Sequence, residues 1–296
     1  MLVRSLPNNQ LNNKFLSING VSNEKVDLTD DDIETKAKLE IDNNPKEWAI
    51  LEGSTGCRQA INRIRKVFEA IGKIPFNKEK VPIRMDMGDP TVALSECGKT
   101  ILLPDPGFPL YGALCKKYNV ETRTYPINME EGVIDLKRLE EQIDKNTIAM
   151  IVNNPMNPAG IVFSKSHLEE VLKIAYKHKI IIIADEIYGD LTFNNANFYP
   201  LATLSPKVTI ICCDGISKRY LVPGWRLGWL ILYNRYNVLD EMKMIILSYT
   251  QHLMGACAIL QGALPAVLEK TPITFKESTC KLLQNNADII CNKLSD

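Results

Sequence analysis

Apolar positions along this chain fall into two rhythms. From Ala93 onward, continuous apolar or β-branched runs alternate with stretches whose apolar residues recur every three or four positions. The runs predict strands at Thr100–Leu103, Glu121–Tyr125, Ile148–Val152, Ile180–Ala184, Val208–Cys212 and Trp229–Tyr233. Unbroken runs are what strands buried on both faces require, so the first five predict parallel strands. The clearest intervening helix opens at Ser164–Ser166. There Ser166-x-x-Glu169 reads as a capping box, and Leu168, Val171, Leu172 and Ala175 form one apolar stripe. Beyond Tyr233 the pattern is helical to the end. This β-α-β-α succession predicts an α/β fold, a doubly wound and mostly parallel sheet with flanking helices on both faces.

Before Ala93 the text reads differently. Residues 1–45 are rich in Asn, Asp, Lys and Ser with little apolar periodicity, which predicts a disordered arm. Residues 46–92 predict a helix from Ser54, with Ile61, Ile64, Val67 and Phe68 at helical spacing, then a turn at Gly88-Asp89-Pro90. Residues 93–280 form the expected ligand-binding large domain, and 281–296 the expected start of a linker helix.

Composition narrows the functional classes. A chain of 296 residues, 45% hydrophobic, can bury a real core as one large domain or two smaller ones. Its 35 basic and 35 acidic side chains cancel, so nothing draws it generally to nucleic acid or to an anionic membrane. The opening residues lack the apolar core of a signal peptide, and the longest aliphatic run, Ile180–Ala184, is far too short for a bilayer. Eight cysteines with no CxxC pair predict reduced thiols used as small core residues in the cytoplasm; a mitochondrial location fits the same composition. His167, His178 and His252 lack metal-ligand spacing and read as helix-surface residues, so no metal is expected.

Candidate chemistry gathers just after the strands. Asp105-Pro106-Gly107-Phe108 follows the first, Asn153 to Pro158 the third, Asp185 and Tyr188 the fourth, and Asp214 to Lys218 the fifth. Open α/β sheets bind ligands at that edge. Lys218 lies in a turn-rich segment with Arg219 and Arg226, where a desolvated lysine near other cations can act as nucleophile and base. Asp185 ends an Ile-rich strand, where a carboxylate gains from a cationic partner. Tyr188 can donate a hydrogen bond. Asn157 sits in the rigid loop NNPMNPAG, with Asn157–Pro158 expected to be cis. Arg226 can grip a phosphate bidentately, and Phe108 can stack on a ring. A lysine, a strand-end acid and an arginine are the parts needed to hold pyridoxal phosphate. Taken singly, each residue also has a plainer use: surface lysine, capping aspartate, core tyrosine, turn asparagine, surface ion pair, core phenylalanine. Cys97-Gly98-Lys99-Thr100 imitates the end of a phosphate-binding loop. The motif's first glycine is Ala93, however, and the segment precedes a strand and opens no helix.

As a set, GDPTV, PDPGFPLYG, NNPMNPAG, ADEIYGD and SKRYLVPGWRLGW resemble the fold-type I pyridoxal-phosphate aminotransferases, from about Trp48 to the end. The resemblance implies the large domain of that fold. It implies Lys218 as the Schiff-base lysine and proton carrier, Asp185 as partner of the pyridinium, and Arg226 as phosphate ligand. It implies Tyr188 and Asn157 at the phenolic oxygen and Phe108 against the ring. The implied cofactor is pyridoxal 5′-phosphate. The implied partners are an aromatic amino acid (tyrosine), a 2-oxo acid (2-oxoglutarate) and a second copy of the chain as a homodimer.

Departures from the family pattern are specific. The family carries a long segment after GDPTV, with a Ser/Gly loop opening a helix that cradles the phosphate; here Val92 runs directly into Ala93. A serine common three residues before the lysine is Gly215 here. The small domain, which carries the family's arginine for the substrate carboxylate, is expected to be incomplete. Two outcomes therefore stand beside amino transfer: a chain with impaired or absent turnover, and a related lyase using the same lysine and aspartate.

Overall fold

The computed structural model describes residues 2–5, 99–205, 207–252 and 256–295. The helix and turn expected within 46–92, and the arm after Ser5, lie outside the described residues. Among the described residues eight strands form one sheet: β1 (Leu2–Ser5), β2 (Thr100–Asp105), β3 (Glu121–Asn128), β4 (Val133–Ile134), β5 (Thr147–Asn153), β6 (Ile181–Asp185), β7 (Ile210–Gly215) and β8 (Gly228–Tyr233). Their order is β1-β8-β7-β6-β5-β2-β3-β4. β3, β2, β5, β6 and β7 run parallel, as the five unbroken apolar runs predict. β8 runs antiparallel to β7, and β4 antiparallel to β3. The opening residues depart from the disordered arm: Leu2–Ser5 pair in parallel with Trp229–Leu232. This four-residue segment meets the backbone donors and acceptors of an otherwise open edge.

Helices cover both faces. α1 (Pro109–Lys117) and α6 (Asp240–His252) lie on one, while α2 (Leu136–Glu141), α3 (Lys165–His178) and α4 (Leu201–Leu204) lie on the other. Alternation along the strands divides the core accordingly. Ile101, Ile181, Ile183 and Ile211 join Cys115, Met242 and Ile245 on the first face. Leu102, Met150, Ile182 and Ile210 join Leu168, Val171 and Leu172 on the second. Ala175 completes the fully buried stripe of α3. Burying a Leu or Val side chain contributes about 1.5–3 kcal/mol, so this stripe anchors α3 far more firmly than its polar face can.

The cap of α3 is Ser164 rather than Ser166. Its hydroxyl accepts the His167 N–H, and helical geometry begins at Lys165. His167 is not a plain surface residue either. Its Nε2 accepts the Ile134 N–H at 2.9 Å, and burial lowers its pKa, so a neutral ring serves as a structural acceptor. After β8 the chain is helical, as expected: α6 is followed by α7 (Ala258–Lys270) and α8 (Ile273–Ser295), the latter unbroken across residue 280. One-turn helix α5 (Ile216–Arg219) connects β7 toward β8. Among the described residues no helix is long and apolar enough to cross a membrane, and no His/Cys/Asp/Glu group could hold a metal.

Candidate active site

Winding reverses between β2 and β5, neighbours from which the chain proceeds in opposite directions across the sheet. Ligands of open α/β sheets bind where such neighbours end. The end of β2 leads through Phe108 into α1, whose first residue is Pro109, a residue preset for the first helical turn. Parallel register then aligns Asn153 with Asp185, and Asp185 with Cys213, along the carboxyl ends of β5, β6 and β7. β8 runs the other way, so its first residue Gly228 pairs with Gly215 at the end of β7. Arg226, two residues before β8, is thereby returned to the edge that bears Lys218. Lysine and arginine share that edge because β8 runs antiparallel to β7.

Hydrogen bonds tie these strand ends together. The Asn153 side-chain amide donates to the Asp185 carbonyl at 3.0 Å, and its oxygen accepts the Asn157 N–H at 2.7 Å. Asn157–Pro158 is cis, as are Asn154–Pro155 and Asp105–Pro106. The Asp185 carboxylate accepts from the Tyr111 phenol and from the Ile187 N–H. Burial raises the pKa of Asp185, and these two donors only partly oppose it. Tyr111 is raised too, by burial and then by Asp185, so it stays a phenol and a donor. The Phe108 ring meets the Tyr111 ring edge-on, with centroids 5.5 Å apart. Phe108 is therefore linked through Tyr111 to Asp185. Lys218 is half-buried on α5, its Nζ 5.6 Å from the centre of the Tyr188 ring.

Arg226 is exposed and takes a left-handed φ of 50°, with its Nη1 donating to the Pro223 carbonyl at 3.1 Å. A non-glycine residue held there costs on the order of 1 kcal/mol, the kind of strain that collects at ligand sites. Gly215 has a steric reason of its own. A Cβ at that position would lie 2.8 Å from the Leu227 carbonyl oxygen and 3.0 Å from the Gly228 Cα. The close approach of β7 and β8 that returns Arg226 to the site leaves no room for a side chain.

The six residues expected from sequence thus map to one sheet edge, and five are linked: Asn157 with Asp185 through Asn153, Phe108 with Asp185 through Tyr111, and Lys218 with Tyr188; Arg226 bonds the Pro223 carbonyl instead. Asn153 and Asp214 are marked by their place after strands, and Tyr111 and Asp190 lie within PDPGFPLYG and ADEIYGD, but the orienting role of each depends on partners that only the fold brings near. The apparent positive surroundings of Lys218 also change. Arg219 forms ion pairs with Asp190 and Asp214 and is buried, so it adds little net charge beside the lysine.

An amine, a strand-end carboxylate, a flanking aromatic and an arginine lie along one edge of a doubly wound sheet. The chain belongs to the family described as aminotransferase class I and II, which matches residues 27–296. It is 52% identical over 206 residues to a tyrosine aminotransferase of Caenorhabditis elegans, covering 69% of this chain and 44% of that protein. Identity to the tyrosine aminotransferase of Homo sapiens is 44% over 204 residues, covering 68% of this chain and 45% of that one. Among solved structures, tyrosine aminotransferase from Leishmania infantum superposes with a TM-score of 0.68 at 27% identity, covering 90% of this chain and 65% of that one. The chain spans somewhat under half the length of the curated relatives it matches.

Proposed function

We propose that the crevice binds pyridoxal 5′-phosphate and carries amino transfer from an aromatic amino acid, tyrosine, to 2-oxoglutarate, giving 4-hydroxyphenylpyruvate and glutamate. The observation that carries this reading is Asp185. Its carboxylate is partly buried with a raised pKa, and the groups bonded to it are two neutral donors, Tyr111 and the Ile187 amide. A protonated ring nitrogen is the partner that would offset this burial. Bound there, the cofactor supplies an electron-withdrawing ring that stabilises negative charge at the substrate's α-carbon.

The chain's own residues do the rest. Lys218 would hold the aldehyde carbon until the substrate amine replaces it there, and the amine so released would move the proton at the substrate α-carbon as base and acid. Tyr188 and Asn157 donate to the ring oxygen, Phe108 packs on the ring, and Arg226 holds the phosphate. Support for the amino-acid class comes from likeness to tyrosine aminotransferases. Cys212 and Cys280, neither in a disulfide, fit a reducing compartment such as the cytoplasm, and a homodimer is the proposed assembly.

The test begins with an absorbance titration of the chain with pyridoxal phosphate. A lysine-dependent band that disappears in Lys218→Ala supports the cofactor site, and its absence at every cofactor concentration sinks it. Products from tyrosine and 2-oxoglutarate then separate the chemistries. Glutamate formation supports amino transfer, release of ammonia assigns lyase chemistry, and a band without product assigns impaired turnover.

A further inference from the structure

Lys218 rides on a helix of a single turn, α5, whose N-terminus has no side-chain cap. One turn cannot sustain itself. Its start is held by buried Ile216 against Leu227, and its end by what holds Arg219, the residue after the lysine. Nη1 of Arg219 is 2.5 Å from Oδ2 of Asp190, and Nη2 is 2.5 Å from Oδ2 of Asp214. Asp214 belongs to β7 and Asp190 to the loop after β6, so the guanidinium bolts α5 to both strands that deliver the site. Burial by itself would lower the Arg219 pKa; the two carboxylates outweigh it and raise it, which keeps the ion pairs intact.

A fourth charge closes the chain of pairs. Lys276 of α8 lies 2.7 Å from the other oxygen of Asp190. α8 grips the same region elsewhere. Phe275 stacks on Tyr220, directly after α5, with ring centres 6.4 Å apart. Cys280 donates its thiol to the Asp190 carbonyl, and Gln284 accepts the Asn194 N–H at 3.0 Å. Two acids and two bases, contributed by β7, a loop, α5 and α8, therefore balance in charge. Only Arg219 of the four lies on the lysine's own turn, and the pairs leave the Lys218 Nζ out of the network.

We propose that Arg219 and Lys276 are positioning residues for Lys218. The series Asp214–Arg219–Asp190–Lys276 fixes the turn that presents the lysine and makes that presentation depend on the docking of α8. The inference rests on Lys218 being the cofactor lysine. Lys276 is the better place to test it, because its side chain is one-third exposed and its loss disturbs packing least.

The experiment uses the full chain with Lys276→Met, Asp190→Asn, the double variant and Lys276→Arg. One readout needs no cofactor: reductive methylation of Lys218 by formaldehyde and cyanoborohydride, measured by peptide mass spectrometry against exposed Lys165. The other is the rate of borohydride-trapped pyridoxal phosphate on Lys218. Lys276→Met and Asp190→Asn are each expected to speed methylation of Lys218 relative to Lys165 and to slow cofactor attachment about tenfold. Lys276→Arg restores both, and the double variant matches Asp190→Asn alone. Equal Lys218-to-Lys165 ratios in every variant, or additive effects in the double variant, overturn the proposal. If the unaltered chain takes up no cofactor, the cofactor reading fails and methylation alone decides the positioning role. Should Lys276→Met unfold the chain, seen as lost helical circular dichroism, Lys276→Gln carries the same expectation.

Discussion

The phenol of Tyr111 donates a hydrogen bond to Oδ2 of Asp185, joining the first turn of α1 to the end of β6. This bond lowers the Asp185 pKa against the larger effect of burial. Tyr111→Phe should therefore leave Asp185 more easily protonated and a poorer partner for a ring cation. A hydrogen bond to a charged group contributes about 1.5–3 kcal/mol, so pyridoxal phosphate affinity is expected to fall about tenfold or more. A spectroscopic titration of the variant reads this directly, and unchanged affinity would remove Tyr111 from the site.

Arg226 is expected to recognise phosphate alone. Arg226→Gln should weaken binding of pyridoxal phosphate by roughly tenfold while leaving pyridoxal, which lacks the phosphate, almost unaffected. Competition between the two ligands measures the difference. Equal losses for both would place the arginine's effect elsewhere.

Gly215 answers to geometry. Gly215→Ser puts a Cβ against the Leu227 oxygen and the Gly228 Cα, both backbone atoms that cannot rotate away. Forcing β7 and β8 apart should cost about 1–3 kcal/mol in chemical denaturation. It should also displace Arg226, so phosphate affinity falls with stability. A stable Gly215→Ser chain that binds the cofactor normally would contradict the steric account.

Glu186 sets a pH dependence of stability. It is buried, accepting the Leu201 N–H and the Cys212 thiol, and burial pushes its pKa up to about 7 from an ordinary 4.5. Below pH 4.5 folded and unfolded chains both hold the proton. As pH rises toward 7, the unfolded chain releases it while the folded chain still binds it, so stability falls across that window. Glu186→Gln should abolish this component and be more stable than the parent at pH 8, by on the order of 3 kcal/mol, with little gain at pH 4.5. Asp214, raised to about 6 by burial against the pull of Arg219, adds a slope of the same sign that persists in the variant. Urea denaturation across the pH range separates the two.

Strands buried on both faces announce themselves because every position must be apolar; this is why β2, β5 and β6 were legible to within about two residues. Ser164 and Ser166 look alike in sequence, since each precedes the same apolar stripe, and only the first helical residue tells which one caps. The two-residue strand β4 is too short to carry any periodicity. Residues with chemical reach, such as Lys218, Asp185 and Arg226, were legible by type and by place after a strand. The groups that orient them were not. Tyr111 stands 74 residues from Asp185, and Lys276 stands 86 from Asp190. Positive charge near Lys218 could be counted from Arg219, but its cancellation by two acids required the fold.

Pairing of Gly215 with Gly228 has a consequence for how the chain can be damaged or rebuilt. The segment between them leaves the sheet and rejoins it at neighbouring positions, so its closure is set by β7 and β8 rather than by its own contacts. A single proteolytic cut at exposed Leu221 or Gly224 would leave both stumps anchored in the sheet and the core undisturbed. It would still unlink Lys218 from Arg226, separating the groups proposed for the two ends of one small ligand. The same geometry makes the segment a natural cassette: two residues at one pair of strand positions define the whole boundary across which another loop could be exchanged.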